Sequence, residues 1–283
     1  MGSVDTMAGW PILLTKTMKS PEPWVEDSVK GLSYHHLVFF PSQQYSLFTR
    51  RSVILALTDD GIIYADKART VVIAFKDINT CKHLNILLQG RLMIVTEDHV
   101  YKVDYNLTMD SLVIPYIEAY REFLRENISK FKIDVGLTKV LLEGEGSTRD
   151  MLYHENLKMY NYLKQLLPDE DEKELIYYQK STEQVGLKSH FQSRHYYTPY
   201  LIIKTERELI LYNEETHVSK NPSDYGIQMN HIAWDDTIRF SLEDHHMNGV
   251  LRILRGSRTL FKLHVPQESL KLASQFCFIL NRS

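Results

Sequence analysis

The chain contains a degenerate copy of itself, and that constrains its fold more than any other feature. Ile73-Ala74-Phe75-Lys76-Asp77-Ile78 is echoed 159 residues later by Ile232-Ala233-Trp234-Asp235-Asp236-Thr237. At the same offset Gly90-Arg91-Leu92-Met93-Ile94-Val95 is echoed by Gly249-Val250-Leu251-Arg252-Ile253-Leu254. Tyr101-Lys102-Val103 finds Phe261-Lys262-Leu263, and Leu57-Thr58 with Gly61-Ile62-Ile63-Tyr64 finds Lys204-Thr205 with Glu208-Leu209-Ile210-Leu211. Leu37-Val38-Phe39-Phe40 finds Leu175-Ile176-Tyr177-Tyr178. The order of five segments is kept while the offset only grows. Two copies of one domain produce this pattern when loops lengthen and core strands do not.

At 283 residues the chain suits two domains of ordinary size. Hydrophobic content of 43% and charged content of 24% describe a globular chain rather than a disordered one. A formal charge of −3 without a long basic run argues against binding nucleic acid or anionic membrane by bulk electrostatics alone, and leaves room for a local basic pocket. The two cysteines, Cys81 and Cys277, sit among apolar neighbours and read as buried free thiols of a reducing compartment. The first residues lack the basic and apolar regions of a signal peptide, and no apolar run approaches the ~20 residues that span a bilayer. A cytoplasmic location is expected.

Residues 34 to 105 read as strands and turns. Leu37 to Phe40 is halted by Pro41, and Val53 to Thr58 runs into Asp59-Asp60-Gly61, a turn signal between apolar runs. Ile62 to Tyr64, Val71 to Phe75, a hairpin around Gly90 and Val100 to Val103 continue the meander. From Leu112 to Leu124 apolar residues recur at spacings of three and four, one face of an amphipathic helix, with Asp110 or Ser111 as its cap and Pro115 in its first turn. Met151 to Leu167 predicts one further helix in the connection between the halves. The second strand series opens at Leu175 and ends in helical spacing from Leu270 to Leu280. Residues 180 to 199 and 213 to 228 read as its longer loops. The N-terminal residues, with Trp10 and Trp24, are expected to pack on the first domain or on a partner.

Seven antiparallel strands followed by one amphipathic helix, twice over, resembles the pleckstrin-homology superfold, and more narrowly tandem bacterial PH-like and GRAM-like domains. The resemblance rests on Val53 to Tyr64, Ile73 to Phe75 with Asp77, the hairpin at Gly90 and the helix Leu112 to Leu124. In the second half it rests on Leu201 to Tyr212, Ile232 to Trp234 with Asp236, the hairpin at Gly249 and the helix Ser269 to Leu280. It implies a mainly β protein of two units, each a bent seven-stranded sheet or barrel closed by a C-terminal helix. The expected organisation is an arm over 1–33, domain 1 over 34–126, a linker over 127–169 with a helix at about 149–167, and domain 2 over 170–283.

Catalytic and metal chemistry find little support in the sequence. Cys277 is followed by Arg282 five positions on, one short of the phosphatase loops that accompany GRAM-like domains, and the residues between are apolar. The pairs His35-His36 and His245-His246 place neighbours on opposite faces and lack metal-ligand spacing. No glycine-rich phosphate loop and no serine elbow is present. No cofactor, metal or catalytic residue is expected.

Two binding readings remain. Aromatics at loops, Tyr196, Tyr197 and Phe48, suit the core of an interface, and a PH-like sheet can add an extended peptide at a strand edge. The favoured function is therefore non-enzymatic recognition of a protein or peptide, with a scaffolding role. The alternative is a phosphoinositide-like headgroup or other anionic lipid, held by Arg50, Arg51, Lys188 and Arg194, with Lys67 and Arg69 on the loop beyond the first pair.

Overall fold

The uninterrupted apolar runs at 53–57 and 62–65 need cover on both faces, and the chain supplies it from two directions. A computed structural model describes residues 11–15, 22–42, 51–86, 89–127, 148–166, 175–180, 182–188, 191–205, 208–215, 226–245 and 248–282. The protein is mainly β, built of several antiparallel sheets, none of which closes among the described residues. Of the expected sheet or barrel, the described residues form open sheets. The chain divides into two units, Met1–Asn127 with Asp224–Ile232, and Ile128–Ser223 with Ala233–Ser283. A segment expected in the second domain therefore belongs by its contacts to the first unit.

In the first unit one sheet has the order β1 (Ile12–Leu13), β2 (His36–Phe40), β3 (Val53–Leu57), β4 (Gly61–Asp66) and β5 (Arg69–Ala74). Register places Leu37, Ala56 and Ile63 in one row, and Phe39, Ile54 and Ala65 in the next. Both rows lie on the face that Leu14 and Val25 cover, with Ile12, Trp24, Val29 and Tyr34 packed around them. Val25 comes from the short helix α1 (Pro23–Val29), whose proline sits at its start. With one face covered this way and the other in the core, β3 and β4 are buried at every residue, and their sequences do not alternate.

A second set of strands follows: β6 (Thr80–Ile86), β7 (Gln89–Val95) and β8 (Val100–Asn106). Here β7 alternates exposed and buried positions, the period of a half-buried strand. Arg91 lies directly opposite Asp104 and pairs with it across the ladder. Gly90 is covered by the Tyr105 ring, and a Cβ there would collide with it. Helix α2 (Ile114–Asn127) begins two residues later than the spacing suggests, after a 3-10 turn over Leu107–Leu112. It buries Tyr116, Ile117, Tyr120 and Leu124. Two of these anchor it through their hydroxyls: Tyr116 donates to the Leu55 carbonyl at 2.7 Å and Tyr120 to the Ile78 carbonyl at 2.9 Å. The outer edge of β6 is taken by β14 (Gly226–Ala233), which pairs antiparallel with it from Gly226 opposite Ile86 to Ile232 opposite Thr80.

In the second unit, α3 (Thr148–Glu155) and α4 (Leu157–Leu166) replace the single helix expected at about 149–167. Asn156 divides them, its side-chain oxygen accepting from the Met159 amide at 3.0 Å as an N-cap. The strand β12 (Tyr200–Lys204) lies between β9 (Leu175–Gln179) and β13 (Glu208–Glu215). The segment expected as a long loop is a hairpin, β10 (Thr182–Lys188) with β11 (Phe191–Tyr197). A further sheet has the order β15 (Ile238–His245), β16 (Asn248–Arg255) and β17 (Arg258–Pro266), turned between the last two by Gly256 at φ 57°. Helix α5 (Leu270–Arg282) buries Ala273, Phe276, Cys277, Ile279 and Leu280. Phe276 lies tilted against Tyr177 at 5.1 Å and meets Phe240 edge-on at 5.9 Å.

Each echoed sequence segment overlaps a strand, with Ile73 to Ile78 and Ile232 to Thr237 running on past the strand's end, and one pair shares a turn. Thr58 and Thr205 each donate amide and hydroxyl to the carbonyl three residues on, Gly61 at 2.9 and 3.0 Å and Glu208 at 3.0 and 3.2 Å.

The tyrosine anchors have a measurable cost. Tyr120→Phe leaves the buried Ile78 carbonyl without its partner and should lower unfolding stability by about 1–3 kcal/mol in urea titration. A change within error would show that water or another donor replaces the hydroxyl.

Candidate functional site

Arg51 and Lys67 are brought to one cleft of 340 Å³ in the first unit, lined by Ser42, Arg51, Ser52, Asp66, Lys67 and Ala68. Its walls are the end of β2, the start of β3 and the turn between β4 and β5. That turn is set by Asp66, whose Oδ1 accepts the amides of Ala68 at 2.8 Å and Arg69 at 3.1 Å. It leaves the Lys67 side chain exposed. Ser52 Oγ accepts from the Ser42 amide at 3.2 Å and donates to Glu22 at 2.9 Å.

Glu22 ties the N-terminal segment to this cleft. Its carboxylate accepts from Lys67 Nζ at 2.8 Å, from Trp24 Nε1 at 2.7 Å and from Ser52. Burial pushes its pKa up, but the hydrogen bonds from Lys67, Trp24 and Ser52 outweigh burial and hold it below the ordinary glutamate range. The charge of Lys67 is therefore largely balanced. Arg51 is exposed and has no ion-pair partner among the described residues. Arg69, expected beside Lys67, instead turns to His99, Nη2 to Nε2 at 2.8 Å, with its guanidinium 5.7 Å from the Tyr101 ring.

The other residues singled out from sequence lie elsewhere. Arg50 and Phe48 fall outside the described residues. Lys188, Arg194, Tyr196 and Tyr197 belong to the β10–β11 hairpin of the second unit, Lys188 opposite Phe191, Arg194 opposite Val185, Tyr196 opposite Glu183 and Tyr197 opposite Thr182. The register puts Lys188 and Arg194 at positions of opposite parity, and likewise Tyr196 and Tyr197. His35 pairs with Asp59 at 2.7 Å in solvent, while His36 lies 2.9 Å from the Leu112 carbonyl and edge-on to Tyr116.

A cluster invisible to sequence reading joins His83, Tyr105 and Asp110. The Asp110 carboxylate accepts from Tyr105 at 2.5 Å and lies 2.9 Å from His83 Nε2, which also meets the Tyr105 hydroxyl. His83 and Tyr105 are buried. Asp110 serves this cluster with its side chain instead of capping α2. Burial raises its pKa, and the contacts with His83 and Tyr105 bring it below the ordinary aspartate range. Nothing in the spacing of the three residues announces their meeting. Both thiols are buried, and burial pushes each pKa up to about 12, so neither is a thiolate nucleophile at neutral pH. Among the described residues no cluster of three histidine, cysteine or carboxylate side chains could hold a metal, and no helix is long and apolar enough to cross a membrane.

The sheet edges differ in how they are covered. On β15, Asn281 of α5 takes both backbone groups of Phe240: its Oδ1 accepts the amide at 2.9 Å and its Nδ2 donates to the carbonyl at 2.7 Å. An amide side chain thus stands where a neighbouring strand would. The β8 edge carries Lys102 and Asp104. Strand β5 pairs only with β4 among the described residues, and its run Thr70-Val71-Val72-Ile73 is uncharged, with Val72 62% exposed.

Residues 29–115 match the protein-family model described as "Bacterial PH domain", a span from the end of α1 to the first turn of α2. That supports a PH-like domain in the first unit, of a kind that commonly serves as a non-catalytic binding module. No curated protein matches the chain.

The Glu22 cluster gives a pH signature. A carboxylate whose folded pKa is depressed contributes stability above its unfolded pKa, about 4.3, and loses it as pH falls through the folded value. Glu22→Gln should therefore lose less stability than the wild type between about pH 5 and pH 3, read by urea unfolding. Equal acid losses in the two proteins would remove Glu22 from the account.

Proposed function

We propose that the protein is a non-enzymatic binding module that recognises a protein or peptide partner by adding an extended segment to the edge of β5. The observation that carries this reading is the bare edge itself. Strand edges are normally blunted by charge, short length or a cover. β5 departs from that rule with four β-branched residues in succession and an exposed valine on an edge without a described partner. β-strand addition uses such an edge for main-chain hydrogen bonds and its alternate side chains for selectivity. The pairing of β14 on β6 is an example of the same contact within this chain.

The repeat of sequence segments, the strand order within each unit and the two C-terminal helices support a second PH-like copy in the second unit. On that reading β14 and β5 are equivalent strands, as are β15 and β6. Determining the two units separately and superposing them tests it. Halves that share no common strand path would end it.

A second reading rests on the cleft. Arg51, exposed beside Lys67, can receive a phosphate-bearing headgroup, with Lys67 released from Glu22 as the anion arrives. The near balance of charge there makes this reading secondary.

Extended peptides selected from a display library against the full chain should protect the amides of β5 from hydrogen exchange. They should lose at least tenfold in affinity for Val72→Lys, where a charge is placed on the edge. Selected peptides that leave β5 unprotected would overturn the edge reading. For the cleft, vesicles containing anionic lipid should retain the wild type and release Arg51→Glu. Equal retention of both proteins, or none, would remove it.

A further inference from the structure

The first unit contains one edge-to-edge strand junction, β6 with β14, and the sequence echo points to a second pair of edges of the same kind. At the offset of 159 residues Ile232 corresponds to Ile73, so β14 maps onto β5. The hairpin registers map β6 onto β15. Thr80 opposite Val95 corresponds to Arg239 opposite Leu254, and Ile86 opposite Gln89 to His245 opposite Asn248. β6 and β14 are consumed by each other. β5 and β15 have no strand on their outer sides among the described residues.

We infer that the partner of the β5 edge is a second copy of this chain, whose β15 pairs antiparallel with β5 in the register that β6 and β14 use. This rests on the edge reading and on the equivalence of the two strand sets. Carrying the register across makes the junction specific. Cys81 opposite His231 becomes Phe240 opposite Val72, and His83 opposite Met229 becomes Leu242 opposite Thr70. Leu84 opposite Gln228 becomes Glu243 opposite Arg69. The transferred register thus seats an acidic residue against a basic one and the exposed Val72 against the most apolar position of β15. Opposite charges directly across a ladder are stabilising, and like charges there are not. Glu243 is held on its strand by Arg252 at 2.6 Å, and Arg69 by His99 at 2.8 Å, so both are positioned before association.

The contact is heterologous, because the surface offered differs from the surface received, so it propagates into chains or closes a ring instead of stopping at a two-fold dimer. Asn281 is its brake. It occupies the Phe240 amide and carbonyl, and a partner strand must displace it. The assembly is therefore weak and concentration-dependent.

Sedimentation velocity of the full chain over a concentration series tests this. The wild type should move from monomer to a ladder of species as concentration rises. Asn281→Ala should reach the same point at about tenfold lower concentration, the worth of a backbone hydrogen-bond pair. Glu243→Lys places Lys against Arg69, and Arg69→Glu places Glu against Glu243, so each alone should remain monomeric. Mixed in equal amounts they should restore the ladder as alternating chains, since every junction between unlike copies again seats opposite charges. Thermal melts of each variant establish that it is folded, and Val72→Lys replaces Arg69→Glu as the β5 block if the latter melts early. The proposal is overturned if wild type and Asn281→Ala both stay monomeric, if association ignores the charge reversals, or if the mixture stays monomeric. Peptide protection of β5 is read on the monomer, so failure here leaves the edge reading standing on its own test.

Discussion

An antiparallel sheet that stays open leaves a row of backbone donors and acceptors along each outer strand, and the rest of this structure is organised around what covers them. On β6 the cover is another strand, β14. On β15 it is the side chain of Asn281, which satisfies one residue's amide and carbonyl together. On β8 charged side chains make the edge a poor template. Among the described residues β5 has none of these devices along its β-branched run. The proposed binding role rests on that contrast and not on a constellation of reactive groups.

The second organising fact is burial on both faces of β3 and β4. α2 lies on the core side and brings two tyrosine hydroxyls, each of which needs an acceptor once it leaves water. Leu55 and Ile78 carbonyls provide those acceptors. The opposite face is closed by Leu14 and Val25 from the N-terminal segment. That segment also carries Glu22 to the cleft, where it competes with any anion for Lys67. Packing of the arm and charge of the cleft are thus one physical matter. The residue that tethers the arm is the residue that makes the cleft nearly neutral.

Much of the strand series could be read directly. The turn at Asp59-Asp60-Gly61, the hairpin at Gly90 and the helical spacing after Leu112 are local signals, and the structure places elements where they point. The misreadings came from competition that locality cannot express. Asn156 ends a helix that apolar spacing alone would continue, because its side chain offers the Met159 amide a better partner than another turn would. Residues 182–197 lack long apolar runs yet form a hairpin, since strand pairing depends on backbone groups as well as side chains. Of the basic residues near the first hairpin, Arg51 and Lys67 share the cleft while Arg69 is drawn away by His99 and Tyr101. The meeting of His83, Tyr105 and Asp110 required β6, β8 and the turn before α2 to come together, and no periodicity encodes that.

Sequence by itself therefore determined most of the strand series, where those strands turn and which segments echo one another, though not the hairpin over 182–197. Those properties reside in side-chain period and in turn residues such as Gly61, and both act over a few positions. Tertiary structure alone decided which edge meets which. Backbone hydrogen-bonding groups are the same in every strand, so β14 could lie against any open edge of suitable length, and only the three-dimensional path of the chain assigns it to β6 and leaves β5 with β4 as its one strand partner among the described residues.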